Sequence, residues 1–194
     1  MNRFDVALRI YLLAGLALHK IVWEILKKRQ RRSSAAEPAV RRKSVSFVRL
    51  IKLVVALGLF AQICLPDIFP ITSHPAFLRM IGLVLFTFGL TTAIVARIQL
   101  GRNWSDIEVG QVKQDHALVN IGMYRYIRHP IYTGDLIMLL ALELCLNSWL
   151  VLAIVSIAIP TIYQTIQEEK RLAETVSGYK TYSSQTKRFI PFVV

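Results

Sequence analysis

The sequence predicts an all-α integral membrane protein with about five transmembrane helices, the N-terminus outside and the C-terminus in the cytoplasm. Three observations predict it. Hydrophobic residues make up 54% of the 194-residue chain and the mean hydropathy is +0.46, above the roughly 45–50% apolar content of a soluble domain. The excess falls into five runs, near residues 4–26, 45–65, 76–98, 131–146 and 149–166. Lys and Arg crowd the linker after run one, the segment between runs three and four, and the tail, while the two remaining turns hold none. Basic loops stay cytoplasmic, so this alternation sets the orientation.

Run one is the least apolar, carrying Arg9, His19, Lys20 and Glu24; Lys20 and Glu24 share a helical face. The segment after it holds Lys27, Lys28, Arg29, Arg31 and Arg32, then Ser, Ala and Pro, then Arg41, Arg42 and Lys43. It reads as a basic cytoplasmic linker at 27–46 that sets topology and rests on anionic lipid, or as a headgroup or partner site. Arg49 and Lys52 interrupt run two early and can snorkel to the basic side. In run three, Gly82 and Gly89 lie seven apart on one face, where a neighbouring helix can approach closely. Runs four and five are short for spans, with Asn147 and Ser148 as a tight turn between them. The chain therefore divides into 1–96, with the first three helices, and 97–194, with a helical hairpin at 131–166.

The hairpin carries the main geometric inference. It returns the chain to the membrane face it left, so Tyr132 and Glu168 lie at the same face. Two clusters then meet: Tyr124, Arg128, His129 and Tyr132 before run four, and the acids Glu168 and Glu169 after run five. Ionisable groups near membrane depth are costly and take partners or ligands. Arg offers forked donors to a carboxylate or phosphate. The acids suit an ammonium or ribose hydroxyls, and the rings suit a purine or a cation. Pro130 fixes the start of the fourth helix. A zwitterion bearing a nucleoside and a positive centre uses all of these groups; the other reading is an Arg–Glu interface belt with aromatic anchors.

Composition narrows the function classes. The net charge of +12 sits beside apolar runs, which argues against a nucleic-acid partner. Cys64 and Cys145 lie inside apolar runs and read as small hydrophobes. The histidines and cysteines show no metal-ligand spacing, so no metal is expected. Glu143 sits in the middle of run four, where it either lines a substrate tunnel or bonds a neighbouring helix. Asp135 is expected to stabilise the start of the fourth helix.

Arg128-His129-Pro130-Ile131-Tyr132-Thr133-Gly134, followed one hairpin later by Glu168-Glu169, resembles the signature of the isoprenylcysteine carboxyl methyltransferase family, membrane enzymes related to the phospholipid N-methyltransferases. His116-Ala117-Leu118-Val119, Gly122 and Tyr124 upstream, and Tyr179, Tyr182 and Arg188-Phe189-Ile190-Pro191 downstream, extend the likeness over roughly residues 100–191. The resemblance implies that 97–194 is a methyltransferase core binding S-adenosylmethionine at the cytoplasmic face. By position, His116, Ala117, Leu118, Val119, Tyr124, His129, Pro130, Ile131, Tyr132 and Glu168 line the cofactor site. Arg128, His129 and Glu169 are the catalytic candidates.

The sequence departs from the family at one place. Where the family's carboxyl methyltransferases carry an Arg a turn before the acidic pair, to hold the substrate carboxylate, this chain reads Tyr163-Gln164-Thr165. Gln164 is then the candidate contact to the methyl acceptor, with Glu143 as a second. The expected acceptor is lipophilic and reaches the site from the bilayer: a prenylcysteine-like carboxylate, a phenolic or enolic lipid, or a lipid headgroup. The rival readings are a membrane reductase of the sterol-reductase type using a nicotinamide cofactor, and a non-enzymatic basic membrane adaptor. The sequence does not define an oligomeric state.

Overall fold

The computed structural model describes residues 3–33, 44–65, 68–103 and 118–191. Six α-helices follow in order: α1 (Arg3–Ser33), α2 (Ser44–Cys64), α3 (Ala76–Leu100), α4 (Pro130–Cys145), α5 (Val151–Thr175) and α6 (Tyr179–Gln185). Among the described residues there is no strand, only two isolated bridges. Helices α1 to α5 fall on the five apolar runs. Three of them are long and apolar enough to cross a membrane: Arg3–Gln30, Ala76–Leu100 and Val151–Thr175. The α4 helix has 16 residues and spans about 24 Å at ~1.5 Å per residue, short of a hydrocarbon core of roughly 30 Å.

The bundle is built on the α3–α4 pair, where small residues let two backbones meet. A Cβ at Gly82 would lie 2.7 Å from the Cys145 nitrogen, one at Gly89 2.5 Å from the Met138 nitrogen, and one at Gly134 2.5 Å from the Ala93 nitrogen. The close approach expected at Gly82 and Gly89 is present, and Gly134 supplies the reciprocal position on α4. Such contact relies on van der Waals packing, because lipid offers no hydrophobic drive between helices. Leu8, Leu12, Ile63, Phe86, Leu90, Met138 and Leu142 form the buried core around this seam.

Two helices outrun their apolar stretches. The 31-residue α1 is about 46 Å long and carries Lys27, Lys28 and Arg29 on its last turns. Helix α5 continues through Thr175, so Glu168 and Glu169 stand on a helix where the sequence reading put the polar tail. Apolar periodicity ends at 166, but helix propensity does not: the stretch after it is rich in Gln, Glu, Lys, Arg, Leu and Ala.

Candidate active site

The motif before α4 is held in place by the tail. The backbone at 126–129 runs beside 187–188: Lys187 N–H donates to Tyr126 O at 3.0 Å, Arg128 N–H to Lys187 O at 2.8 Å, and His129 N–H to Arg188 O at 3.1 Å. The Thr133 hydroxyl donates to Phe189 O at 3.1 Å. Pro130 starts α4 as its first residue, where a missing N–H is harmless and φ is already helical. Residues far apart in sequence thereby face one another at one end of the bundle.

Glu169 is the hub. Its Oε1 accepts from Arg128 Nε at 2.8 Å and faces His129 Nε2 at 3.0 Å. Arg188 closes the other side, with Nη2 to Oε2 at 2.7 Å and Nε to Oε1 at 3.1 Å. Charge-assisted bonds of this forked kind are strong and directional. The Glu169 side chain is only 12% exposed, so its desolvation is offset by these donors. Arg128 also caps the end of α6, donating to Ser183 O at 2.9 Å and to Thr186 O. The three catalytic candidates, Arg128, His129 and Glu169, thus bind one another.

Glu168, the neighbouring acid, is built differently. It is half-buried and accepts from the Tyr132 hydroxyl at 3.2 Å. The His129 and Tyr132 rings stack with centroids 5.6 Å apart. Gln164 is half-buried one helical turn before Glu168 on the same face of α5.

Tyr124 completes this end. It lies in the 3-10 turn Gly122–Arg125, buried with Ala96 and Ile131 and with Trp23, Leu100, Val119 and Met123 packed against them. Burial, then Tyr182, Glu168 and Tyr132, push its phenol far above the ordinary value, with Arg97 acting the other way. Tyr124 therefore presents a neutral ring. Tyr182 donates to Tyr124 O at 2.7 Å, and burial foremost raises its own phenol to about 12. Leu118 packs on Val176, Tyr179 and Tyr182, so Leu118 and Val119 bridge two apolar clusters. His116 and Ala117 lie outside the described residues.

Tyr124, His129, Pro130, Ile131, Tyr132, Glu168 and Glu169 are thus brought to one end, with Leu118, Val119 and Gln164 beside them. Glu143 is not. It sits eleven residues beyond Tyr132, roughly 16 Å along α4, 2% exposed, and accepts from Gln62 Nε2 at 2.6 Å. The geometry follows the helix-bonding reading of Glu143. Sequence reasoning gave no site role to Arg188, although the tail pattern contained it. Asp135 is bonded by His19 Nε2 at 2.9 Å, with His19 stacked on Trp23 at 4.0 Å. The first turn of α4 holds no acid and its N-cap has no side-chain bond, so Asp135 does not serve the helix start as expected; it ties α1 to α4 instead.

The family model for phospholipid methyltransferases matches residues 77–177, more than half of the chain. The chain belongs to the phospholipid methyltransferase family. The matched stretch covers α3, α4, the site turn and α5. Among curated relatives, the chain is 29% identical over 101 residues to the protein-S-isoprenylcysteine O-methyltransferase of Schizosaccharomyces pombe, covering 50% of this chain and 43% of that protein. It is 30% identical over 82 residues to the human protein of the same name, covering 42% of this chain and 29% of the other. It is 27% identical over 110 residues to the cobalt-zinc-cadmium resistance protein CzcN of Cupriavidus metallidurans, covering 56% and 50%. The matches span half or less of the length of these relatives. A solved eukaryotic intramembrane Ras methyltransferase, isoprenylcysteine carboxyl methyltransferase, shares the fold, with a TM-score of 0.62 at 20% identity over 97% of this chain and 68% of that one. The likeness to the isoprenylcysteine group seen in the motif is borne out by these relatives, and the fold is that of an integral membrane protein.

Proposed function

We propose that this chain is an S-adenosylmethionine-dependent methyltransferase acting on a lipophilic acceptor at the cytoplasmic face of a membrane. The observation that carries the proposal is the division of labour between two adjacent acids: Glu169 is engaged by Arg128, His129 and Arg188, while Glu168, beside it, is held by Tyr132. The donor set fits the cofactor. Its ammonium and ribose hydroxyls are donors that suit the Glu168 carboxylate, and its purine suits the rings of Tyr124 and Tyr132. The cytoplasmic assignment rests on Lys27, Lys28 and Arg29, which α1 carries to this same end of the bundle.

The cofactor, when bound, supplies a methyl carbon on a positive sulfonium. The protein's share is to orient, hold and exclude water. Tyr132 fixes Glu168. The Glu169 hub locks Arg128 and His129, and with them the start of α4. Gln164, a turn before Glu168, faces the acceptor. A carboxylate nucleophile needs no proton removed, whereas a phenol or amine needs a base.

The names of the relatives favour a prenylcysteine-like carboxylate as acceptor. Gln164, where the family's carboxyl methyltransferases carry an Arg, favours a neutral acceptor: a phenolic or enolic lipid, or a headgroup. Purified protein is incubated with methyl-labelled S-adenosylmethionine and a panel holding a farnesylated cysteine, phenolic lipids and phospholipids. Label entering one extractable lipid is expected, and which one decides between the acceptor readings. Absence of transfer to any member, with no cofactor binding, contradicts the proposal.

A further inference from the structure

The family model matches from residue 77 onward, so α1 lies outside the matched stretch. Yet α1 reaches the site. Leu8, Leu12, Gly15, His19 and Trp23 recur every three or four residues and form one stripe along the helix. The far half of this stripe is a packed apolar seam: Leu8 and Leu12 are buried in the core, and a Cβ at Gly15 would lie 2.5 Å from Phe86 Cε1. Toward the basic end the apolar pattern stops. His19 Nε2 lies 2.9 Å from Asp135 Oδ1, with both side chains partly covered, and the imidazole stacks on Trp23 with centroids 4.0 Å apart. Trp23 in turn packs against the buried cluster of Ala96, Tyr124 and Ile131. Two of these, Tyr124 and Ile131, are among the residues assigned above to the cofactor site.

The position of Asp135 on α4 gives this bond leverage. Its neighbour Gly134 sits against α3, where an added Cβ would lie 2.5 Å from the Ala93 nitrogen. That contact fixes the spacing of the two helices. A residue without a side chain cannot interlock, however, and does little to stop α4 turning about its own axis. Asp135, about 100° further round the helix, is held by α1 instead. Contacts in two directions at adjacent residues set the rotation of the helix. Tyr132 lies three residues before Asp135, on the neighbouring turn of the same face, so its direction follows. Its hydroxyl reaches Glu168 at 3.2 Å, longer than the roughly 2.5–3.0 Å usual for such a bond. A small rotation of α4 is enough to break it.

We propose that His19 and Trp23 are positioning residues for the cofactor site. Through Asp135, His19 holds α4 at the rotation that keeps Tyr132 on Glu168, and Trp23 backs the wall formed by Tyr124 and Ile131. The assignment rests on the methyltransferase reading. It makes α1 a working part of the site and not a separate anchor.

S-adenosylmethionine is titrated calorimetrically into the full-length protein in nanodiscs, with the unfolding midpoint measured alongside, for wild type and for variants along the stripe. His19→Leu continues the apolar pattern of α1 and removes the bond to Asp135. It is expected to weaken Kd about fivefold, within the range by which residues without ligand contact modulate a site. Asp135→Ala is expected to match it, and the double variant to bind no more weakly than either single one, since the two residues act as a unit. His19→Gln offers Asp135 an N–H again and is expected to return Kd to within twofold of wild type. Trp23→Ala is expected to weaken binding, and Trp23→Phe, which keeps a ring, to recover most of the loss. Leu12→Ala controls for stability: it opens the same stripe in the far half and is expected to lower the midpoint while leaving Kd within twofold. Wild-type affinity in His19→Leu, or effects of His19→Leu and Asp135→Ala that multiply in the double variant, overturns the assignment of His19. Wild-type affinity in Trp23→Ala overturns that of Trp23. A loss of affinity in Leu12→Ala equal to that in His19→Leu overturns both, because α1 then acts through stability alone. In each of these cases wild type still binds the cofactor and the methyltransferase reading stands; failure of wild type to bind it overturns that reading as well.

Discussion

At the far end of the bundle, Glu143 accepts from Gln62, Arg9 donates to the carbonyls of Ile63 and Leu65 at the end of α2, and Arg79 pairs with Asp5. The Asn147 turn is stitched to the 70–72 segment: Ile71 N–H donates to Asn147 O at 3.0 Å and Asn147 Nδ2 to Thr72 O at 2.8 Å. At the basic end, two guanidiniums and the His129 ring converge on Glu169 while Glu168 stands beside it on Tyr132. Both ends bury charge. The far end joins helices α1 through α4 and the two connecting turns through backbone carbonyls, carboxamides and paired charges, which is how a bundle is closed. The basic end locks one acid through several donors and leaves the next on a single tyrosine; under the proposed function, that second acid receives the ligand.

The largest expected effect comes from removing the hub. Glu169→Ala leaves Arg128, His129 and Arg188 without their shared acceptor and is expected to cost about 3–5 kcal/mol, read by chemical or thermal unfolding in detergent. A Glu169→Ala protein as stable as wild type breaks the comparison, because Glu169 is then no more structural than Glu168. Next comes Glu143→Leu, which deprives Gln62 of its acceptor and is expected to cost about 1–3 kcal/mol. Its affinity for S-adenosylmethionine, by calorimetry, stays within twofold of wild type; a large loss there joins the two ends functionally.

The sequence made part of this legible. Hydropathy located all five long helices, and the hairpin argument brought Tyr132 to the face of Glu168, because a short turn between two helices leaves the chain no other way back. The spacing of Gly82 and Gly89 marked the α3–α4 seam, though not Gly134, a motif residue that reads as part of the signature. Partner choice was hidden. Nothing local in Glu168-Glu169 says which acid takes the cations. That depends on the tail, where Arg188 returns through the pairing of 187–188 with 126–129. The reach of α5 to Thr175 was lost because apolar periodicity stops before helix propensity does.

The smallest expected effect is at the site's support. Tyr182→Phe removes the bond to Tyr124 O and costs about 0.5–1.5 kcal/mol. The Tyr182 phenol is raised by burial from its ordinary 10.0 to about 12. Its contribution to stability is therefore fully present below pH ~10 and is lost as pH rises toward ~12. Unfolding measured across that window is expected to show a shallower alkaline decline in Tyr182→Phe than in wild type. An unchanged slope assigns the decline to other groups.

The central claim is that Glu168 receives the ligand while Glu169 holds the frame. Calorimetric titration of S-adenosylmethionine into wild type and Glu168→Gln tests it most directly, with each protein's unfolding midpoint measured alongside. The account predicts a Kd weakened by at least tenfold, about 1.4 kcal/mol, at an unchanged midpoint. An unchanged Kd, or a midpoint that falls as far as that of Glu169→Ala, contradicts it.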